Sequence, residues 1–204
     1  MDPKAVEKAA AHYARALEAF AYLAAARSFA DFEKAWSSFL GEYGRVLSKL
    51  EAGAKANPQS RQWYGQFKHE CRNDPLASYL LQARNAEEHG LLDTTKQSFD
   101  PNITPSTPSQ TPPTISMFSV HGDGTIETRE INVSSPDAKY FSMGEIDSLV
   151  ELATVFDERF PGQSWPRPTQ HNGADIENQT PVGIALLGMN LLEEAIAQAR
   201  SHIR

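Results

Sequence analysis

A short segment near position 85 carries an arginine, an amide and a histidine, namely Arg84, Asn85 and His89. Imidazole titrates near neutral pH, and the planar guanidinium group offers several donors to an anion. These residue types therefore suit proton transfer and anion binding. On an ideal helix Asn85 and His89 lie one turn apart and can touch, whereas Arg84 and His89 point about 140° apart. A site that uses all three requires Arg84 to reach around the helix, a distorted helix, or a group from a partner chain.

This pattern resembles the motif of the HEPN superfamily of small helical domains, in which an arginine precedes a histidine by a spacer of four to six residues, often with a polar residue directly after the arginine. The resemblance covers about residues 4–92. In many members the two residues form a metal-independent ribonuclease site across a dimer. The resemblance implies that His89 moves a proton at the 2′-hydroxyl or leaving oxygen, that Arg84 binds the scissile phosphate, and that Asn85 orients His89 or the phosphate.

The same residues also fit a purely structural role. Arg84 and Glu88 have the spacing of an i,i+4 ion pair on the helix surface. Glu87 and Glu88 beside His89 would repel the phosphates of RNA. His89 precedes Gly90, where a cation is favoured by the helix C-terminus.

Two hypotheses follow. The first is a HEPN-like metal-independent ribonuclease of the kind found in toxin or defence systems, acting as a homodimer on RNA or with a cognate protein partner. The second is a non-catalytic helical module that binds a protein, itself included, or a nucleotide. Neither hypothesis calls for a metal or another cofactor, and no standard metal-ligand spacing is present.

Further residues are predicted to belong to a binding site for RNA or a partner. The ribonuclease hypothesis predicts that a polar stripe on the fourth helix lies in a cleft or dimer groove close to basic residues. The binding-module hypothesis predicts an exposed stripe, or a stripe closed by packing with Arg84 tied to Glu88. The stripe consists of Ser78, Gln82, Asn85 and His89, and the basic residues are Arg61, Lys68 and Arg72.

Composition limits the classes of function. The 204 residues carry a formal net charge of −7, and residues 98–204 alone carry six basic and fourteen acidic residues, a difference of −8. A general basic surface for nucleic acid is therefore excluded, and any polyanion site must be local. One cysteine, Cys71, excludes an internal disulfide framework. No run of about 18 apolar residues and no signal peptide is evident, so we expect a cytoplasmic protein without a membrane span.

Apolar residues at steps of three and four predict a bundle of helices that positions the motif. Ser28, Ser60, Asp74 and Thr180 are candidate N-caps. The predicted helices cover residues 4–27, 29–51, 61–72, 75–89, 143–158 and 181–202.

The remaining segments predict an insertion and loops. The Pro-rich residues 100–113 lead into β-prone runs on either side of His121-Gly122-Asp123-Gly124, which is typical of a β-hairpin. Residues 161–180 predict a long irregular loop. The nearly all-apolar Val182–Leu192 predicts deep burial or a dimer interface.

The fold class is therefore mainly α, a helical bundle of five to six helices with a β-hairpin insertion. Residues 1–97 form the bundle core with the motif, 98–142 the Pro-rich linker and hairpin, and 143–204 the helices that complete the bundle.

Overall fold

The computed structural model describes residues 1–89, 93–97, 114–120, 126–132, 150–156 and 162–203. Within these ranges the chain forms five helices, which confirms the mainly α fold class. They are α1 (Pro3–Ala24), α2 (Phe29–Ala54), α3 (Pro58–Asn73), α4 (Pro75–His89) and α5 (Pro181–Ser201).

In the described part of the chain, short strands form four antiparallel pairs, β1–β4, β2–β3, β5–β6 and β7–β8. Their bounds are β1 (Thr95–Gln97), β2 (Thr114–Val120), β3 (Ile126–Asn132), β4 (Val150–Leu152), β5 (Val155–Phe156), β6 (Ser164–Trp165), β7 (Gln170–His171) and β8 (Ala174–Asp175). The predicted hairpin is confirmed by the pairing of β2 with β3. Its turn and the Pro-rich segment lie outside the described residues. The predicted irregular loop contains the short strands β6, β7 and β8.

Polar caps and prolines set the helix starts. Ser28 accepts a hydrogen bond from Asp31 N, and Thr180 accepts one from Gly183 N, as predicted. The predicted cap of α3 is wrong. Asn57 rather than Ser60 caps this helix, because Asn57 precedes a proline that suits the first helical position. Ser60 is instead buried in the first turn, where it accepts from the Met1 ammonium group.

The core forms where α2 is covered on several sides. The helices α1 and α2 run antiparallel, since Asp2 N donates to Gly53 O at one end of the pair and His12 meets Glu42 further along. α5 packs on α1, α2 and α4. Gly188 allows this close approach, because a Cβ there would lie 2.6 Å from Cδ1 of Leu80.

The apolar run in α5 is largely buried, as one alternative predicted. Among the described residues, α5 is also the one helix long and apolar enough to cross a membrane by length and composition. Half of its apolar stretch is buried against the bundle, which equally fits the core helix of a soluble protein.

The predicted helix over 143–158 is wrong where the chain is described. Val150–Leu152 is a strand whose first and last residues are buried while Glu151 is half-buried, and it pairs with Thr95–Gln97. Ala153 N donates to Thr94 O, and the hydroxyl of Tyr79 donates to Ala153 O. Burial along this segment alternates with a period of two, and the segment pairs with a distant strand. The helical spacing of its apolar residues does not indicate that partner. The rest of this predicted helix lies outside the described residues.

Candidate functional site

α4 carries the motif with its apolar side buried in the bundle. Its start is confirmed, since Asp74 Oδ1 accepts from Ala77 N at 2.8 Å. Leu76, Tyr79, Leu80 and Ala83 are fully buried. The predicted polar stripe lies on the other side, with Ser78, Gln82 and Asn85 half-buried. The stripe therefore lies at a partly solvent-exposed edge of the bundle. The helix ends at His89, whose side chain lies outside the described part of the chain.

Arg84 is held between α4 and α2. Its Nη2 lies 2.5 Å from Oε2 of Glu88, and its Nη1 donates to Oδ1 of Asn85 at 3.2 Å. The aliphatic part of the side chain lies over Gly44, where a Cβ would come within 2.7 Å of Arg84 Nε. This Nε is buried and has no hydrogen-bond partner among the described residues. The missing side chain of Gly44 thus makes the room that Arg84 occupies.

The other polar groups of the motif bond to one another. Asn85 Nδ2 donates to Gln82 Oε1 at 3.3 Å, and Asn85 Oδ1 accepts from Arg84 Nη1. The pairing of Arg84 with Glu88 is the one that the binding-module hypothesis predicts, while the half-buried stripe is neither fully exposed nor closed by packing. The basic residues expected beside the stripe by the ribonuclease hypothesis lie elsewhere, as described below.

Glu87 takes part in a buried hydrogen-bond chain that joins three elements. Nε1 of Trp36 in α2 donates to Thr94 Oγ1 at 2.9 Å, and this hydroxyl donates to Glu87 Oε1 at 2.6 Å. Partial burial and the carboxylates of Asp93 and Glu87 raise the pKa of Glu33. Carboxylates therefore gather at the end of α4 that bears the motif, and they oppose the approach of a phosphate.

Two of the predicted basic residues meet in a groove between the end of α2 and α3. Lys68 Nζ lies 2.8 Å from Glu51 Oε1, and Arg61 Nη2 donates to the backbone oxygen of Lys55 at 3.4 Å. Arg72 is exposed on α3 beyond the groove lining. The groove has a volume of about 460 Å³ and is lined by Glu51, Ala54, Lys55, Arg61, Tyr64, Gly65 and Lys68.

The floor of this groove is apolar and fixed. Tyr64 is 8% exposed, and its hydroxyl donates to Leu47 O at 3.0 Å. Burial raises the pKa of this phenol, so it stays neutral. Gly65 lies in the middle of α3, and a Cβ there would have no described neighbour within 4 Å outside its own helix backbone. The groove thus combines a rigid apolar floor with a cationic rim. Arg61 and Lys68 are predicted from sequence as binding residues of this region. Lys55 and Gly65 are not, because neither belongs to a recognisable motif.

A polar clasp at the other end of α4 was also missed from sequence. Asp74 Oδ1 accepts from His171 Nδ1 at 3.0 Å, and Oδ2 accepts from Asn172 N at 2.7 Å. Burial alone would raise the pKa of Asp74, but the hydrogen bonds from Ala77, Asn172 and His171 lower it. The residue pair Asn172-Gly173, with φ of 51° and 77°, turns the chain back to Asp74. An Asn-Gly pair is the signal that could have indicated this turn.

Among the described residues, the remaining polar groups form no evident nucleophilic or metal site. Burial raises the pKa of the Cys71 thiol to about 12, which leaves it protonated and unreactive. His12 Nδ1 lies 2.7 Å from Glu42 Oε2, and Arg45 pairs with the other oxygen, which links α1 to α2. Within the described ranges, no group of three histidine, cysteine or acidic residues is placed to hold a metal ion.

Comparisons with known proteins add no relative: no protein-family model matches the chain, and neither the curated proteins nor the solved structures contain a match. The HEPN resemblance stays a prediction that rests on Arg84, Asn85 and His89.

Proposed function

We propose that this chain is a non-catalytic helical module that binds an anionic partner in the groove between α2 and α3. The observation that carries the proposal is the groove itself, in which Lys55, Arg61 and Lys68 surround an apolar floor. One carboxylate, that of Glu51, belongs to the lining. In a chain of net charge −7, such a local excess of cations favours an anionic partner.

The state of the motif supports the absence of catalysis. To bind a scissile phosphate, Arg84 would have to leave Glu88, whose Oε2 lies 2.5 Å from its Nη2. Glu87 is held by Thr94 near the same helix end, so its charge stays close to any phosphate that approaches. Both features reduce the electrostatic stabilisation that a phosphodiester cleavage needs.

Thermal unfolding tests the binding proposal, because a ligand that binds only the folded state raises the Tm. Poly-L-glutamate and ATP serve as separate probes at roughly physiological salt. We expect at least one probe to raise the Tm of the wild type and to lose most of this effect in Arg61→Gln. Lys8→Gln, which removes an exposed cation on α1, is the matched control and keeps the effect. Equal shifts in both variants, or no shift with either probe, would contradict the proposal.

A metal-independent ribonuclease is the second candidate, and one observation favours it. The contact between Arg84 Nη1 and Asn85 Oδ1 keeps two motif residues together, and 23% of the Arg84 side chain is exposed. The HEPN resemblance implies that Arg84 binds the scissile phosphate and that Asn85 orients His89 or the phosphate, with His89 as the proton carrier in a cytoplasmic homodimer.

An RNA cleavage assay in EDTA separates the two candidates. Wild type, His89→Ala and Arg84→Ala are incubated with mixed RNA, beside Arg15→Ala as an exposed arginine control on α1. We expect no cleavage by folded wild type of known oligomeric state. Cleavage that is lost in both motif variants and kept in the control would establish the ribonuclease and refute the non-catalytic module.

A further inference from the structure

The exposed side of α3 carries a straight row of three cations with one gap. Arg61, Gly65, Lys68 and Arg72 follow one another at steps of four, three and four residues, so they lie within about 60° of one another around the helix. The row is about 16 Å long. Arg61 and Arg72 are exposed, and 42% of the Lys68 side chain is exposed. The row therefore faces outward along the groove.

Gly65 interrupts this row without a packing reason in the described structure. A glycine inside a helix costs about 1 kcal/mol relative to alanine. At Gly44 and Gly188 a Cβ would lie within 3 Å of a neighbouring side chain, whereas at Gly65 it would meet nothing within 4 Å. What glycine provides here is room, and that room allows the backbone of a ligand to come close to α3.

The shape and lining of the groove favour a protein helix as the ligand. The groove is open along α3, and its floor consists of Tyr64, Ala54 and the aliphatic stems of lysines. An open apolar groove beside a charged rim is the geometry that accepts an amphipathic helix. Nucleic acid fits less well, because the ring of Tyr64 is 8% exposed and offers little face for base stacking.

From these features, and resting on the function proposed above, we infer that the partner is an acidic amphipathic helix of another protein that lies along α3. Because both helices rise equally per residue, its carboxylates lie at positions i, i+7 and i+11, opposite Arg61, Lys68 and Arg72. A small residue at i+4 lies opposite Gly65. An antiparallel partner has the reversed order. Apolar residues beside this row contact the aliphatic stems of Lys55 and Lys68.

Fluorescence anisotropy with designed peptides tests this pattern. The probes are fluorescein-labelled helical peptides of about 18 residues, long enough to cover the row. Two patterned peptides carry the carboxylates at the predicted positions, one for a parallel and one for an antiparallel partner. A rearranged peptide has the same composition, with the carboxylates moved to the opposite side of the helix. We expect the better patterned peptide to bind roughly tenfold or more tightly than the rearranged one at about 0.15 M salt.

Variants show whether α3 reads the pattern. Gly65→Trp fills the open space and should remove the preference without lowering the Tm, because position 65 is exposed and a Cβ there meets no described neighbour within 4 Å. Arg72→Gln, outside the groove lining, should weaken the patterned peptide alone. Lys8→Gln should change nothing. A preference that survives both Gly65→Trp and Arg72→Gln would overturn the inference.

The remaining outcomes separate this inference from the proposed function. Equal binding of both peptides, with the poly-L-glutamate shift still dependent on Arg61, would overturn the inference and leave the function standing. Tighter binding of a single-stranded RNA oligonucleotide than of the patterned peptide would overturn it in favour of nucleic acid. No peptide binding and no shift with poly-L-glutamate or ATP would overturn both.

Discussion

The surface over Gly44 and the groove beside Gly65 both lie next to a glycine inside a helix, yet their charged groups are used differently. Arg84 fills the space at Gly44 and is paired with Glu88. The space at Gly65 is open, and Glu51, the carboxylate of the groove lining, pairs with Lys68. Residue types indicate a chemistry only while their charges and hydrogen-bonding groups are not already satisfied within the fold. By that criterion the groove, which has no motif, is the better site.

The largest expected effect comes from Asp74 at the start of α4, a carboxylate whose oxygens already accept hydrogen bonds within the fold. Asp74→Ala removes the cap of α4 and the acceptor for His171 and Asn172. We expect the free energy of unfolding to fall by about 2 kcal/mol, because the helix cap and two further hydrogen bonds to a charged acceptor are lost together. Urea unfolding measures it. A loss below about 0.5 kcal/mol would show that these groups are not held together in solution.

Asp74 also makes the stability of the fold depend on pH. Burial opposes ionisation of Asp74, but its hydrogen bonds lower its folded pKa below the ordinary value of about 3.9. Its ionised form therefore stabilises the fold above that ordinary value, and this contribution is lost as the pH falls through the folded pKa. We expect the stability difference between wild type and Asp74→Asn to shrink below about pH 4. A difference that stays constant there would contradict this assignment.

The two glycines themselves provide the sharpest contrast. Gly65→Ala should stabilise the protein by about 1 kcal/mol, because it gains helix propensity and meets no neighbour. Gly44→Ala should destabilise it by about 1 kcal/mol, because the new methyl group displaces Arg84. In an Arg84→Ala background Gly44→Ala should instead stabilise. Thermal or urea unfolding of the four variants tests this, and the same sign at both glycines would end the comparison.

A smaller effect is expected next to Gly44. The hydroxyl of Tyr43 is fully buried without a hydrogen-bond partner in the described structure, and burial raises its pKa well above the usual range. Tyr43→Phe removes this unsatisfied group and should raise the free energy of unfolding by about 1 kcal/mol or less. Leu40→Ala, which leaves a cavity in the same core, is the destabilising reference. A clear loss of stability in Tyr43→Phe would show that the hydroxyl has a partner.

The smallest change in stability is expected in the groove. Glu51→Gln releases Lys68 from an ion pair in which both side chains are more than 40% exposed, so stability should change by less than about 0.5 kcal/mol. The affinity for poly-L-glutamate should rise, because the lining loses its carboxylate. A calorimetric titration compares this variant with Glu70→Gln, an exposed carboxylate on α3 outside this lining. Equal affinities in the two variants would contradict the groove as the binding surface.

The helices could be predicted from sequence because their signals are local. The caps Ser28, Asp74 and Thr180 each act within one turn, and the spacing of apolar residues identifies the buried face of α4. The error at Ser60 was avoidable, since Asn57-Pro58 carries the same kind of start signal as Asp74-Pro75. The helix predicted through Val150 failed because its real partner, Thr95–Gln97, is more than fifty residues away.

The candidate site was harder to predict for the same reason. Arg84 and Glu88 are neighbours on one helix, so their spacing alone predicts the ion pair as an alternative. The contact of Arg84 with Gly44 joins two helices forty residues apart and has no local signature. The groove depends on the angle at which α3 leaves α2, which sequence spacing does not give.

The order of the helices along the chain also has a consequence for how the protein is made. α1 is packed between its neighbour α2 and the last helix α5, and Tyr13 donates to Glu193 across 180 residues of chain. During synthesis at 5–20 residues per second, α5 follows α1 from the ribosome after roughly 10–30 s. Until then α1, whose Ala9 and Ala16 are fully buried in the finished bundle, lacks the cover that α5 gives it. The nascent chain thus passes through a period in which a molecular chaperone has an apolar helix face to recognise.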